Sequence, residues 1–133
     1  MHRALSPGSQ VQTSFVVEEG DTAAFGGVEV HPVCSTFAMA REAEWACRQF
    51  VLQMREEHEE GIGNGLTIEH QAPALLGEQV EVVATLTAVQ GNEVRCTWQA
   101  LVGTRLLATG TCSQRVLDRS KLQERFDRLR SGL

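Results

Sequence analysis

The chain has 133 residues, of which 42% are hydrophobic and 22% are charged, and its formal net charge is −5. This length suffices for one domain with its own core, so we predict a single domain over residues 1–133 in which residues 1–10 are flexible. The acidic balance argues against nucleic acid as a partner, because phosphate binding needs a basic surface. The sequence has no membrane-length apolar run and no secretory signal, which predicts a cytoplasmic protein without a membrane partner.

The four cysteines show no spacing that is typical of a metal site. Cys47 lies in a helical pattern, and Cys96 and Cys112 lie in strand patterns beside apolar residues. Free cysteine packs in proteins as a small hydrophobic residue. We therefore predict buried free thiols and no metal ion.

The N-terminal half reads as a strand followed by one long helix. Apolar alternation predicts a strand over residues 11–18, and glycines and a proline predict an irregular segment over residues 21–33. Ser35 or Thr36 can cap a helix that we expect over residues 36–60, because a glycine follows it. The core-facing stripe of this helix is predicted to contain Phe37, Ala40, Glu44, Cys47, Val51 and Met54.

The C-terminal half reads as an antiparallel meander. Apolar and polar residues alternate in strands predicted over residues 66–70, 80–88, 94–102 and 106–114, with glycine-containing turns between the last three. A short helix follows from residue 118, capped by Asp118 or Ser120. A twisted antiparallel sheet of about five strands can wrap one long central helix. This α+β architecture, with a short C-terminal helix, is the hotdog fold, and we predict it for this chain.

Glu44 interrupts the apolar stripe of the long helix, and carboxylates are rarely buried without a partner. Three interpretations are open. The side chain reaches solvent at the edge of the stripe, it pairs with a nearby arginine such as Arg48, or it lies in a cleft where desolvation suits it to proton transfer. Periodicity does not choose among them.

His70 and Thr36 are the other candidates for chemistry. His70 continues the inward parity of Leu66 and Ile68, so it is either a hydrogen-bonded structural residue or an acid–base group. Thr36 either caps the helix or places a hydroxyl beside its first N–H groups, which can polarise a carbonyl oxygen. Thr36 and Glu44 lie on a similar side of the helix, about 12 Å apart along its axis.

Two segments at matching spacing resemble the family of fluoroacetyl-CoA thioesterase and its hotdog relatives. In residues 35–47 a threonine is followed eight positions later by Glu44 and then Trp45. In residues 63–73 a glycine precedes His70 by seven positions, and a turn of small residues and proline follows. Residues 77–82 continue the pattern as G-x-x-V-x-V, and the resemblance covers roughly residues 11–117.

The resemblance implies that Thr36, Glu44 and His70 are catalytic and that Gly63 contributes backbone contacts to the thioester or CoA. It also implies a homodimer or dimer of dimers with sites at the subunit interface, no metal and no cofactor, with CoA as part of the substrate. Ser35 and Phe37 are further candidates for substrate binding. Family members often carry proline or glycine where Phe37 stands, so Phe37 is expected to narrow the acyl pocket.

The aromatic lid of the fluoroacetyl-specific enzyme has no match in residues 25–33, so we do not transfer its selectivity. The preferred function is an acyl-CoA thioesterase that releases a small or medium acyl group as the free acid. A non-catalytic acyl-CoA-binding module and a hotdog enoyl-CoA hydratase or dehydratase are the alternatives, because both use a similar cleft.

Overall fold

A computed structural model describes residues 1–132 as seven strands and two α-helices. The strands are β1 Gln10–Val16, β2 Thr22–Phe25, β3 Val28–Cys34, β4 Glu59–His70, β5 Gln79–Gln90, β6 Glu93–Val102 and β7 Arg105–Asp118. The helices are α1 Thr36–Met54 and α2 Arg119–Arg130, and a 3-10 turn spans Glu19–Asp21.

Five strands form one antiparallel sheet in the order β1-β5-β6-β7-β4. Tight turns join β5 to β6 and β6 to β7, and they use Gly91 at a φ of 60° and Gly103 at a φ of 57°. Glycine adopts this left-handed conformation without steric cost, which favours short hairpin connections. The predicted meander and the predicted sheet around one helix are confirmed.

The core lies between α1 and the concave face of the sheet, and α1 contacts all five strands. Small residues on the buried face of α1, such as Ala38, Ala43 and Ala46, let the strands approach closely. The predicted stripe is wrong at two positions. Phe37 is 82% exposed and Glu44 is exposed, because the buried face is rotated by about one residue and centres on Met39, Ala43, Ala46 and Phe50.

All four cysteines are buried and free, as predicted. The sulfur atoms of Cys47, Cys96 and Cys112 all lie within 4.8 Å of one another, where α1 meets β6 and β7. These thiols fill space between the helix and the sheet as small apolar groups do.

The helix ends earlier than predicted, at Met54. Arg55 is extended, and its N–H still donates to the carbonyl oxygen of Val51. The following charged residues offer no apolar face to the core, so the chain reverses and enters β4 at Glu59. Gly61 does not end the helix. It lies in β4, where an added Cβ would stand only 2.6 Å from Cγ1 of Val51.

The segment predicted as irregular, residues 21–33, instead contains the hairpin of β2 and β3. Its turn uses Gly26 and Gly27 at φ values of 61° and 80°. Two adjacent residues with positive φ are what a two-residue hairpin turn requires, so this glycine pair indicated a hairpin rather than a loop. The hairpin is irregular in register on both sides of Ala23.

The strand β4 lies at an edge of the sheet, since within residues 1–132 it pairs with β7 alone. Its register with β7 shifts between Gly63 and Gly65. The terminal segment before β1 makes backbone hydrogen bonds, including one from His2 to Met54, so the flexibility of residues 1–10 stays a prediction. No helix among residues 1–132 is long and apolar enough to cross a membrane.

Candidate active site

Two adjacent hydroxyl groups at the start of α1, those of Ser35 and Thr36, make different contacts. Ser35 is the N-cap, and its Oγ accepts a hydrogen bond from the Ala38 N–H at 2.9 Å. An N-cap hydroxyl satisfies one of the N–H groups that have no partner inside the helix. Because Ser35 performs this role, the Thr36 hydroxyl is left for other contacts.

Thr36 contacts His70 across the cleft between α1 and the end of β4. The Thr36 Oγ1 and the His70 Nδ1 lie 3.1 Å apart, at hydrogen-bond distance. His70 is half-buried, and its Nε2 is buried without a hydrogen-bond partner among the described residues. A buried imidazole nitrogen without a partner is costly in a purely structural role, which makes His70 a candidate for chemistry.

A cleft of about 320 Å³ opens at this pair. It lies between the β2–β3 hairpin, the start of α1 and the segment that follows β4. Apolar walls come from Ala23, Val33, Ala72 and Pro73. Its polar groups belong to His31, Cys34, Ser35, Thr36, His70 and Gln71.

Sequence reasoning missed three of these polar residues, His31, Cys34 and Gln71. His31 lies in residues 21–33, which were predicted from the sequence as an irregular segment and not as a hairpin. Burial raises the pKa of the Cys34 thiol to about 11. Cys34 therefore stays a neutral thiol at neutral pH and does not compete as a nucleophile.

A buried carboxylate fixes the hairpin to the start of α1. Arg41 on α1 donates to the Asp21 carboxylate at 2.8 Å, and the backbone N–H of Ser35 donates to the Asp21 carbonyl oxygen at 2.8 Å. Burial alone would raise the pKa of Asp21, but the hydrogen bonds from Arg41 and from the Glu18 backbone, together with the Arg41 charge, hold it below its usual value. Asp21 thus supports the residue that precedes Thr36.

Glu44 lies on another part of α1, against β4. An added Cβ on Gly63 would stand 2.5 Å from the Glu44 Oε1, so the absence of a side chain at Gly63 makes room for this carboxylate. Arg48 does not pair with Glu44, because it donates to Glu60 at 2.8 Å. Of the three interpretations of Glu44, the one in which its side chain reaches solvent at the edge of the stripe therefore agrees best with the single chain.

The single chain brings Thr36 and His70 together and keeps Glu44 apart from them. Gly63 and His70 are seven residues apart on β4, which corresponds to about 23 Å of strand. Ser35 lies beside Thr36 in the cleft, and Gly63 lies beside Glu44. Phe37 points to solvent and does not line the cleft. The catalytic and binding roles of these six residues remain predictions.

Solved structures share this fold over nearly the whole chain. A hypothetical protein from Thermus thermophilus, described as a thioesterase superfamily member, has a TM-score of 0.92 and 34% identity, and the alignment covers 97% of this chain and 96% of that one. The fluoroacetyl-CoA thioesterase FlK has a TM-score of 0.86 and 24% identity over 94% and 97% of the two chains. A hot-dog-like protein from Thermanaerovibrio acidaminovorans has a TM-score of 0.82 and 23% identity over 90% and 89%.

The fold and these likenesses define a hotdog-fold protein of the thioesterase superfamily. A search of curated proteins returned no significant match. The family profile described as "FlK: Fluoroacetyl-CoA-specific thioesterase" matches residues 17–120. The chain belongs to this FlK family and is a thioester hydrolase, which favours the first of the three functions considered from the sequence.

Proposed function

We propose that the protein hydrolyses an acyl-CoA thioester, releasing a small or medium acyl group as the free acid together with CoA. The observation that carries the proposal is the hydroxyl–imidazole contact of Thr36 and His70 at the first turn of α1, inside an open cleft. In the FlK family, one variant enzyme has been solved with fluoroacetate and CoA and another with acetyl-CoA. Selectivity for the fluoroacetyl group is not part of the proposal.

The free edge of β4 supports a homodimer that completes the site. Long unpaired strand edges are usually covered or paired. Two copies of β4 that pair antiparallel about a two-fold axis between Leu66 and Thr67 would set Gly63 opposite His70 of the partner subunit. Opposite residues of an antiparallel pair project to the same face of the sheet. The Glu44 carboxylate of one subunit would then approach Thr36 and His70 of the other.

Each residue has a defined task in this arrangement. The N–H groups of Thr36 and Phe37 have no partner inside the helix, and they can polarise the thioester carbonyl at the positive end of α1. Glu44 takes a proton from water as the water oxygen bonds to the carbonyl carbon. The carbon–sulfur bond then breaks, and His70, oriented by Thr36, protonates the departing thiolate to give the CoA thiol. The reaction consumes one water and needs no cofactor.

Direct attack by Glu44 on the carbonyl carbon is the other route that uses the same groups. It would form a mixed anhydride on Glu44 that water then hydrolyses. In a single turnover in heavy-oxygen water, the anhydride route places a water oxygen in Glu44 when water attacks the Glu44 carbonyl carbon and the acyl carboxylate leaves. Heavy oxygen in the Glu44 side chain, detected by peptide mass spectrometry, would indicate direct attack, because base catalysis leaves that carboxylate unlabelled.

The proposal is tested by measuring thiol release from a panel of acyl-CoAs. Glu44→Gln and His70→Ala should each lower kcat by at least about 10²-fold, the scale of losing a general acid–base group. Thr36→Ser should keep more activity than Thr36→Ala, because it keeps the hydroxyl. Full turnover in both the Glu44→Gln and His70→Ala enzymes would refute the assignment.

Mixing two inactive variants tests whether the site is shared between subunits. In a dimer of one Glu44→Gln chain and one His70→Ala chain, one site has both groups intact and the other has neither. Refolding an equal mixture should therefore restore about a quarter of wild-type activity, since half of the dimers are mixed and each has one working site. No recovery, with mixed dimers shown by native mass spectrometry, would place all the catalytic groups in one subunit.

A further inference from the structure

His31 is a second imidazole in the cleft of Thr36 and His70, and the catalytic scheme above does not use it. It lies on β3, opposite Ala23 on β2, in the wall that faces the end of β4. Its side chain is exposed to the cleft opening. An imidazole at this place can donate a hydrogen bond, or a charge-assisted one when protonated, to whatever group the acyl chain presents.

The wall that carries His31 is fixed at its base. The N–H of Cys34 donates to the carbonyl oxygen of Ala74 at 2.8 Å, and Val33 forms a β-bridge with Leu75. The Asp21 carbonyl accepts from the Ser35 N–H, which ties the other strand of the hairpin to the start of α1. His31 is thus held two residues from an anchored position, so its place relative to Thr36 is defined by the backbone.

Among residues 1–132, no carboxylate lines the cleft. Of the acids on and just before the hairpin, Asp21 is paired with Arg41, and Glu29 accepts a hydrogen bond from Thr22 at 3.1 Å. The start of α1 adds the positive end of a helix dipole. Two imidazoles and the N-terminus of α1 line the cleft. In the proposed dimer the partner subunit's Glu44 would approach the reacting carbonyl at Thr36 and His70, so the place for a negatively charged group is at His31, on the hairpin wall.

We propose that His31 is a specificity-determining residue that selects short acyl groups ending in a carboxylate, such as the succinyl group. The inference rests on the proposed thioesterase function. With the thioester carbonyl at Thr36 and His70, the distal carboxylate extends along the hairpin wall and accepts a hydrogen bond from the His31 imidazole. A cleft of about 320 Å³ has room for a chain of this length.

The test compares two substrates of nearly equal size, succinyl-CoA and isocaproyl-CoA, in which an isopropyl group replaces the carboxylate. The wild-type kcat/KM should favour succinyl-CoA. His31→Ala should lower the ratio of the two kcat/KM values by about 10–100-fold, the range expected for a hydrogen bond to a charged group. The loss should fall on succinyl-CoA, with hydrolysis of isocaproyl-CoA unchanged or improved.

His58→Ala is the matched control, since His58 is an exposed histidine in the turn between α1 and β4 and lies outside the cleft. It should leave the substrate ratio unchanged. Thiol release from isocaproyl-CoA with no preference for succinyl-CoA, or a ratio that His31→Ala does not alter, would overturn the inference and leave the thioesterase function standing. Absence of thiol release from every acyl-CoA tested would overturn the proposed function and this inference together.

Discussion

Gly63→Ala should displace the Glu44 carboxylate without destabilising the fold. The added methyl carbon would stand 2.5 Å from the Glu44 Oε1. A comfortable contact is about 3.5 Å, so the carboxylate must move by about 1 Å. Misplacing a reacting group by that distance can cost about 10²-fold in rate. Because only the end of one flexible side chain has to move, the free energy of unfolding should change by less than about 1 kcal/mol.

The measurements are kcat/KM by thiol release and Tm by circular dichroism. Gly65→Ala is the control on the same strand, because its added Cβ would meet the Ser113 hydroxyl at 2.7 Å and not Glu44. We expect the Gly63 variant to lose rate at an unchanged Tm and the Gly65 variant to keep its rate. Wild-type kcat/KM in Gly63→Ala, or an equal loss in both variants, would refute the role given to the Glu44 position.

Two further predictions concern the framework of the site. Gly110→Ala should destabilise the protein by about 3 kcal/mol or more, because its Cβ would lie 1.9 Å from the Thr67 carbonyl oxygen. Gly20→Ala is the control, because a Cβ there would meet open space, and it should leave Tm nearly unchanged. Asp21→Asn should cost about 1 kcal/mol at neutral pH by urea unfolding. Since folding lowers the pKa of Asp21, this stabilisation is present above the unfolded-state value and disappears as pH falls through the lower folded value. A difference between wild type and Asp21→Asn that does not shrink as the pH falls below the unfolded-state value would contradict this origin.

The periodicity of the sequence was sufficient to predict the sheet. Strands β5, β6 and β7 alternate apolar and polar residues between glycine turns, and this pattern has one simple solution. The C-terminal end of α1 was harder to predict. The charged residues 55–60 that follow α1 fit a solvated helix face as well as a turn and a strand. In the structure β4 begins at Glu59, and Gly61 packs against Val51.

Candidate residues for the site could be named from the sequence, but their arrangement could not. Spacing located Thr36 and His70, and the structure joins them because the end of β4 meets the start of α1. The same spacing gave no distance between Glu44 and His70, which in the proposed dimer would depend on the pairing of two chains. His31 was missed because the glycine pair before it was interpreted as a loop, although two glycines between apolar residues also favour a hairpin.

The unpaired edge of β4 has a consequence for how the activity is controlled in a cell. If that edge joins two chains into the working enzyme, turnover per chain depends on the total amount of protein, because mass action sets the fraction that is assembled. Dilution would then silence molecules that are still folded. At protein concentrations too low for the chains to assemble, acyl-CoA thioesters would then not be hydrolysed.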